Sequence, residues 1–143
     1  MISNTIDDIK NFLSENSIKP SIQRVKIYQF LLNNKIHPTA DEIYKRLNSE
    51  LITLSKTTVY NTLHLFVDKG VVQPIHIEGN EVRYDADFSQ HTHFKCNDCG
   101  MLYDLHLNLN IQGILELKKF EVKDIQVLIS GICDKCVSGN PIN

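Results

Sequence analysis

The sequence predicts an α+β protein with an N-terminal helical domain that ends in a β-hairpin, followed by a small α/β domain with a four-cysteine zinc site. Three observations predict this class. Apolar residues recur at helical spacing through about residue 70, two β-rich runs follow, and two Cys-x-x-Cys pairs occur only in the rest of the chain. We expect the first domain to cover residues 1–85, a polar hinge residues 86–90, and the second domain residues 91–143.

Four helices are predicted in the first domain. The first covers about residues 4–16, and the second runs over about residues 20–34. A Thr-Ala-Asp-Glu capping box that begins at Thr39 starts the third helix. Ser55 is a good N-cap for the fourth helix, which Gly70 ends.

Two β-rich runs follow the fourth helix. Residues 71–77 and 81–85 flank a Gly-Asn turn, which is a hairpin signal. This order, helices followed by a hairpin, is that of a winged helix-turn-helix, in which the third and fourth helices form the DNA-reading unit.

The second domain is predicted to mix strands with one helix. Strands are expected at residues 91–96 and 101–106, a helix near residues 109–118, and a long strand over residues 120–132. We expect the chain to pair with a second copy through this long strand.

Composition narrows the class of protein. The 143 residues are 42% hydrophobic and 22% charged, which is typical of a globular protein. The N-terminus lacks a signal-peptide pattern and no apolar run is long enough to span a membrane, so we expect a cytoplasmic protein without membrane contact. Residues 1–80 carry nine Lys/Arg against eight Asp/Glu, so DNA binding must rest on local pattern rather than on overall charge.

The four cysteines form two pairs, Cys96-x-x-Cys99 and Cys133-x-x-Cys136. Each spacing lets two sulfurs of one tight turn reach the same ion, and two such pairs supply the four thiolates of a tetrahedral zinc site. The lack of a secretory signal favours metal over disulfides. Because four sulfurs leave no open position, we interpret this zinc as structural.

A second, open metal site is predicted next to the first cysteine pair. His91 and His93 alternate on a predicted strand, so both side chains point to one face. His37, Asp85 and Asp104 are further candidate ligands. Imidazole combined with carboxylate suits a divalent ion such as Fe(II), Mn(II) or Zn(II).

Several stretches carry a resemblance to a known family when taken together. They are residues 37–44, residues 55–63, residues 83–85, and the run His91-x-His93-x-x-Cys96-x-x-Cys99-Gly100 with Asp104. In these stretches the chain resembles the ferric-uptake-regulator (Fur) family of bacterial metal-dependent repressors over nearly its whole length. The resemblance implies a winged-helix domain, a dimerisation domain, and a regulatory metal held by both. It places that metal on His37, Asp85, His91, His93 and Asp104.

The branch of the family is a finer question. Peroxide-sensing (PerR-like) members carry Asp at the positions that match Asp85 and Asp104, whereas iron sensors typically carry Glu at one or both. Iron sensors often show a His-His-Asp-His run where this chain has Gln90-His91-Thr92-His93. Both features favour a peroxide sensor, with an iron-uptake regulator that senses Fe(II) as the alternative.

The resemblance implies a homodimeric repressor that binds a palindromic double-stranded DNA operator when the regulatory metal is Fe(II) or Mn(II). With Fe(II), peroxide is expected to oxidise His37 or His91 and so release the DNA, whereas Mn(II) supports repression without that sensitivity. No small molecule other than peroxide and no enzymatic activity are expected. The residues predicted to contact DNA are Arg24, Ser55, Lys56, Thr57, Thr58, Tyr60 and Asn61.

Two other classes of protein remain open at this point. A zinc-dependent hydrolase or deaminase could use two histidines and a carboxylate, but the chain has no His-Glu-x-x-His motif and no evident general base. A plain zinc-ribbon interaction protein would leave His37, Asp85 and Asp104 without a role.

Overall fold

The computed structural model describes residues 2–77, 79–87, 92–107, 110, 113–123 and 125–139. The chain divides into two compact units, with the boundary between residues 88 and 89. Of the helices that the model describes, each is too short or too polar to cross a lipid bilayer.

Four helices build the first unit, close to the predicted positions. They are α1 (Ile6–Glu15), α2 (Ile22–Asn33), α3 (Ala40–Leu47) and α4 (Lys56–Asp68). Each helix begins after a Ser or Thr whose side-chain oxygen accepts a hydrogen bond from the backbone N–H three residues later. Helix α4 ends at Asp68, and Gly70 two residues later has a φ of 71°, a left-handed conformation that favours glycine.

The core of the first unit is apolar and centred on α2. This helix buries residues on more than one face, among them Val25, Ile27 and Leu31, because other helices pack around it. Tyr28 is also buried; its ring meets that of Phe66 edge-on at 5.5 Å. Burial of so many aliphatic and aromatic side chains gives this unit a hydrophobic core of its own.

A hairpin closes the first unit. Strand β1 (Gln73–His76) pairs antiparallel with β2 (Val82–Asp85), and Gly79 in the turn has a φ of 70°. The loop before α3 is hydrogen-bonded to this hairpin, because Tyr84 donates its backbone N–H to Pro38 O at 3.0 Å.

The second unit is a three-stranded sheet with a short helix. Its elements are β3 (Thr92–Cys96), β4 (Leu102–Leu105), a 3-10 turn (Leu115–Leu117), β5 (Leu128–Gly131) and α5 (Asp134–Val137). Strand β3 is central; it pairs antiparallel with β4 and parallel with β5.

Two predictions for the second unit are wrong in extent. In the described part of residues 109–118 the helical residues are 3-10 rather than α-helical, namely exposed Gly113 and the turn Leu115–Leu117. Among the described residues of 120–132, the strand is confined to β5, whose four residues are the ones in register with β3. The apolar residues that alternate in this stretch are exposed or half-exposed where the structure describes them, and they do not form a continuous strand.

Candidate metal centres and DNA interface

The four cysteines meet at one end of the second unit. Cys96 is the last residue of β3, and Cys99 lies in the turn that follows. Cys133 directly precedes α5, and Cys136 lies within it. The register aligns Cys96 with Gly131, so the end of β5 brings the second pair beside the first. The predicted clustering of both Cys-x-x-Cys pairs is therefore present in the structure.

The spacing of the sulfurs fits a zinc ion. All four Sγ atoms lie within 4.8 Å of one another, and Cys99 Sγ is 3.9 Å from Cys133 Sγ. Tetrahedral zinc with Zn–S bonds of about 2.3 Å requires sulfurs about 3.8 Å apart, far beyond the length of a disulfide bond. The cysteines are not joined as disulfides, and they form a donor set suited to structural zinc.

Backbone groups favour the charged form of one buried sulfur. Burial raises the pKa of the Cys96 thiol, but the N–H groups of Cys133 and Cys99 point at its Sγ from 3.3 and 3.5 Å. Together with the Asp98 N–H they outweigh burial and hold the pKa of Cys96 below its usual value. A thiolate at this position is the form that binds a metal ion.

A tyrosine side chain also affects the pKa of one of the cysteines. The Tyr103 side chain is the largest cause of a lowered pKa of Cys133, followed by the Cys136 backbone. Conversely, the Cys133 side chain and then burial raise the pKa of Tyr103. Tyr103 was absent from the sequence-based site because its strand carried no metal-binding motif at that position.

The first histidine–carboxylate pair belongs to the first unit. His37 and Asp85 are both buried, and His37 Nε2 lies 3.4 Å from Asp85 Oδ2. His37 adopts a φ of 54°, a left-handed conformation that is uncommon outside glycine, and it precedes Pro38 in the loop that pairs with β2. Asp85 Oδ1 also accepts the backbone N–H of Asp87 at 2.9 Å, which fixes the carboxylate.

The second histidine–carboxylate pair belongs to the second unit. His93 on β3 is buried, and its Nε2 lies 3.4 Å from Oδ1 of Asp104, its direct partner on β4. In both pairs the nitrogen–oxygen distance exceeds that of a usual hydrogen bond. The predicted ligand His91 lies outside the described residues.

Strand alternation separates the two kinds of ligand within the second unit. Cys96 and Phe94 lie on one face of β3, whereas His93 lies on the other. On β4, Tyr103 pairs with Phe94, their ring centroids 6.5 Å apart, and Asp104 pairs with His93. The sheet therefore carries sulfur chemistry on one face and imidazole–carboxylate chemistry on the other.

Six of the predicted DNA-contacting residues lie at the start of α4, and they differ in whether their side chains cap the helix. Ser55 and Thr58 are occupied with the helix start, because Ser55 Oγ accepts the Thr58 N–H at 3.0 Å and contacts its hydroxyl at 2.9 Å. In contrast, Lys56, Thr57, Tyr60 and Asn61 are solvent-exposed. The ammonium of Lys56 lies 5.8 Å above the ring of Tyr44 on α3, a cation–π contact that sequence analysis did not foresee.

Arg24 lies beside α4 in a groove of about 590 Å³. Its Nη1 donates to the backbone carbonyl of Lys19 at 2.8 Å, which holds the guanidinium at the N-terminus of α2. Asn61 and Thr58 of α4 line the same groove. The predicted phosphate contact is thus next to the predicted reading helix.

Comparisons with known proteins agree with these features. The model of the ferric uptake regulator family matches residues 15–130. The chain is 32% identical over 139 residues to the peroxide operon regulator of Bacillus subtilis, covering 95% of this chain and 96% of that protein.

Solved structures give the same result. PerR from Streptococcus pyogenes, described in terms of peroxide sensing and gene regulation, is 28% identical, with 95% of both chains covered and a TM-score of 0.54. The ferric uptake regulator of Pseudomonas aeruginosa, solved with manganese, is 26% identical with a TM-score of 0.69, and the match covers 88% of this chain and 98% of that one. The chain therefore belongs to the ferric uptake regulator family, whose members are dimeric, DNA-binding metalloregulators of transcription and not enzymes.

Proposed function

We propose that the chain is a metal-dependent transcriptional repressor that senses peroxide. The observation that carries the proposal is the pair of His–Asp contacts, His37 with Asp85 and His93 with Asp104, each at 3.4 Å and largely buried. The similarity to the peroxide operon regulator of Bacillus subtilis and to a PerR structure supports the peroxide branch. The repressor would act in the cytoplasm, where its DNA lies.

The donor atoms of each pair suit a shared metal ion. Two donors that each lie about 2.1 Å from one ion are about 3.0–3.4 Å apart, depending on the angle between them. A distance of 3.4 Å is thus natural for two ligands of one ion and long for a direct hydrogen bond. In the proposal one Fe(II) or Mn(II) ion joins both pairs, with His91 as the fifth ligand.

Joining the two pairs would couple metal binding to DNA binding. His37 and Asp85 belong to the unit that carries α4, and His93 and Asp104 belong to the unit that carries the sheet. An ion bound by all of them selects one arrangement of the two units from those available. In a homodimer that arrangement would match the two half-sites of a palindromic operator.

The proposed reading surface is the exposed first half of α4. Lys56, Thr57, Tyr60 and Asn61 would reach base edges or phosphates, while Arg24 would contact the backbone from the adjacent groove. Ser55 and Thr58 are proposed to act mainly by capping the helix, since their hydroxyls contact each other.

The response to peroxide would reside in the ligand histidines. When bound, Fe(II) would supply the redox chemistry that cleaves the O–O bond of peroxide next to its ligands, and one of the two oxygens would leave as water. His37 or His91 would take up one oxygen atom, and an oxidised imidazole binds a metal poorly. The two His–Asp pairs would then separate and the operator would be released.

The test is operator binding by the Fe(II) and Mn(II) forms, each measured by fluorescence anisotropy before and after peroxide. We expect both forms to bind a palindromic operator and only the Fe(II) form to lose it. Mass spectrometry should then find one added oxygen on a peptide with His37 or His91. DNA release without any such mass gain would reject the oxidation mechanism. His76→Ala, which alters an exposed histidine of β1, is a matched control and should leave binding unchanged.

An iron-uptake regulator is the second candidate, and the length of one side chain separates the two. Asp104→Glu adds one methylene to the carboxylate that faces His93 at 3.4 Å. We expect this variant to hold iron more tightly and to lose most of its peroxide sensitivity, measured as the peroxide concentration that halves operator binding. An unchanged half-point would count against the role given to the short carboxylate.

A further inference from the structure

A buried tyrosine hydroxyl lies at the cysteine cluster and has no part in the repressor function proposed above. Tyr103 stands opposite Phe94, on the sheet face that carries Cys96. Its Oη atom is inaccessible to solvent and makes no hydrogen bond of normal geometry within the described part of the chain. The Cys133 side chain, ahead of burial, is the largest cause of the raised pKa of Tyr103.

A buried hydroxyl of this kind calls for an acceptor. A neutral thiol accepts hydrogen bonds weakly, but a zinc-bound thiolate carries negative charge and accepts them well. Four thiolates around one Zn²⁺ also leave the centre with net negative charge, which donors in its surroundings would stabilise. Cys96 has such donors in the N–H groups of Cys99 and Cys133.

We infer that Tyr103 is a positioning residue of the zinc site: its hydroxyl donates a hydrogen bond to Cys133 Sγ, retains the metal and slows oxidation of that sulfur by peroxide. The inference rests on zinc at the four cysteines. It does not depend on which metal occupies the regulatory site or on DNA binding.

The reaction that the hydrogen bond opposes can be written in full. A lone pair of Cys133 sulfur attacks one oxygen of hydrogen peroxide, an S–O bond forms, and the O–O bond breaks. The second oxygen leaves as hydroxide and becomes water on taking up a proton. Sulfur loses two electrons and becomes a sulfenate, which binds zinc poorly, and peroxide is reduced. A phenol that already occupies this lone pair makes the sulfur a weaker nucleophile.

This role would give a peroxide sensor selectivity between its two chemistries. His93 and Asp104 lie on the opposite face of the same two strands, where oxidation carries the signal in the proposed mechanism. Oxidation of sulfur would destroy the structural site instead. Tyr103 protects the face on which oxidation is only damaging.

The first experiment replaces Tyr103 by Phe in the full chain, with cobalt(II) loaded in place of zinc as a spectroscopic probe. Loss of a hydrogen bond raises the energy of the sulfur lone pairs, so the sulfur-to-cobalt charge-transfer bands should move to longer wavelength. With zinc loaded, release to a chromogenic chelator should become about ten-fold faster. Phe94→Leu is the control, because it loosens the adjacent ring packing at 6.5 Å but removes no donor, and its bands should not move.

A second arm keeps the test decisive if the Phe variant folds poorly. Incorporation of 3-fluorotyrosine at position 103 by nonsense suppression keeps the shape and strengthens the donor, so the bands should move to shorter wavelength and zinc release should slow. Bands that stay in place in the fluorinated protein would overturn the inference. So would equal rates of peroxide-driven Cys133 oxidation, followed by mass spectrometry, in the wild-type and Tyr103→Phe proteins without regulatory metal or DNA.

Discussion

The two units of this chain are stabilised by different means. In the first unit a continuous apolar cluster runs through all four helices and includes fully buried Tyr28 and Phe66. In the second, the buried residues that the structure describes are two cysteines, Thr92, His93 and a single aliphatic side chain, Leu102. The first unit thus carries its own hydrophobic core, whereas the described part of the second unit buries little apolar surface, and we expect it to depend on metal at its cysteines.

Large exposed apolar side chains occur in both units but are more frequent in the second. In the second unit Phe120 is 69% exposed, and Ile125, Ile129 and Ile132 are each more than a third exposed. Strand β5 also lies at an edge of its sheet, with one side unpaired by the strands described. These features fit a surface that a second copy covers in the family's dimer. We therefore expect the stability of the second unit to depend on metal and on a partner, and that of the first unit not to.

Removal of zinc has the largest expected effect, because it should destabilise the second unit, which has the smaller hydrophobic core. Structural zinc contributes roughly 10–16 kcal/mol to folding of small cysteine sites. A strong chelator should therefore abolish amide protection over residues 92–107 and 125–139 while α1 to α4 stay protected, as measured by hydrogen–deuterium exchange. Zinc addition should restore protection. Equal loss in both units would show that the first unit is not independently stable.

Phe66→Ala tests the hydrophobic core of the first unit. Phe66 is fully buried and its ring meets Tyr28 edge-on, so truncation should destabilise the first unit by about 3–5 kcal/mol. Zinc content, measured by metal analysis, should not change. Phe120→Ala is the matched control, since the exposed ring should contribute little to the unfolding free energy of the first unit.

The elements that depend on local signals could be predicted from the sequence. Helix starts followed from Ser and Thr caps, and Gly70 marked the end of α4 where the structure has a left-handed residue. The cysteine cluster was predicted because each Cys-x-x-Cys spacing lets two sulfurs reach one ion, although the meeting of the two pairs depends on the alignment of β5 with β3. His37 and Asp85, which are far apart in the sequence, could be named from it only as candidate ligands, and the family resemblance placed them on one metal.

Features that depend on strand register could not be predicted. Residues 120–132 alternate well enough for a strand, but in the described part of this stretch the strand is β5, because its residues pair with β3, and pairing is a tertiary property. The place of Tyr103 has the same origin, because its proximity to Cys133 follows from the pairing of β4 with β3. The contact of Lys56 with the ring of Tyr44 likewise requires the packing of α3 against α4.

Ile129→Asp tests the dependence on a partner. A carboxylate placed on β5 would have to be buried on dimerisation, at a cost of roughly 2–3 kcal/mol, or a 30- to 150-fold weaker dimer. Sedimentation velocity over a concentration series measures this shift. Ile52→Asp changes an isoleucine that is 94% exposed in the first unit and should leave the dimer intact. An unaltered dimer in the Ile129 variant would move the interface away from β5.

Ser55→Ala has the smallest expected effect and separates stability from function within the first unit. Loss of the cap on the Thr58 N–H should lower the unfolding free energy by about 1 kcal/mol. Thr5→Ala removes the equivalent cap of α1, which bonds the Asp8 N–H at 3.3 Å, and should cost a similar amount. Operator affinity should fall only in the Ser55 variant, because the first turn of α4 carries Lys56 and Thr57 and frays when its cap is lost. If both variants lose affinity equally, general stability rather than the order of the reading helix limits DNA binding. Titration of each variant against the same operator at fixed Mn(II) and salt distinguishes the two outcomes.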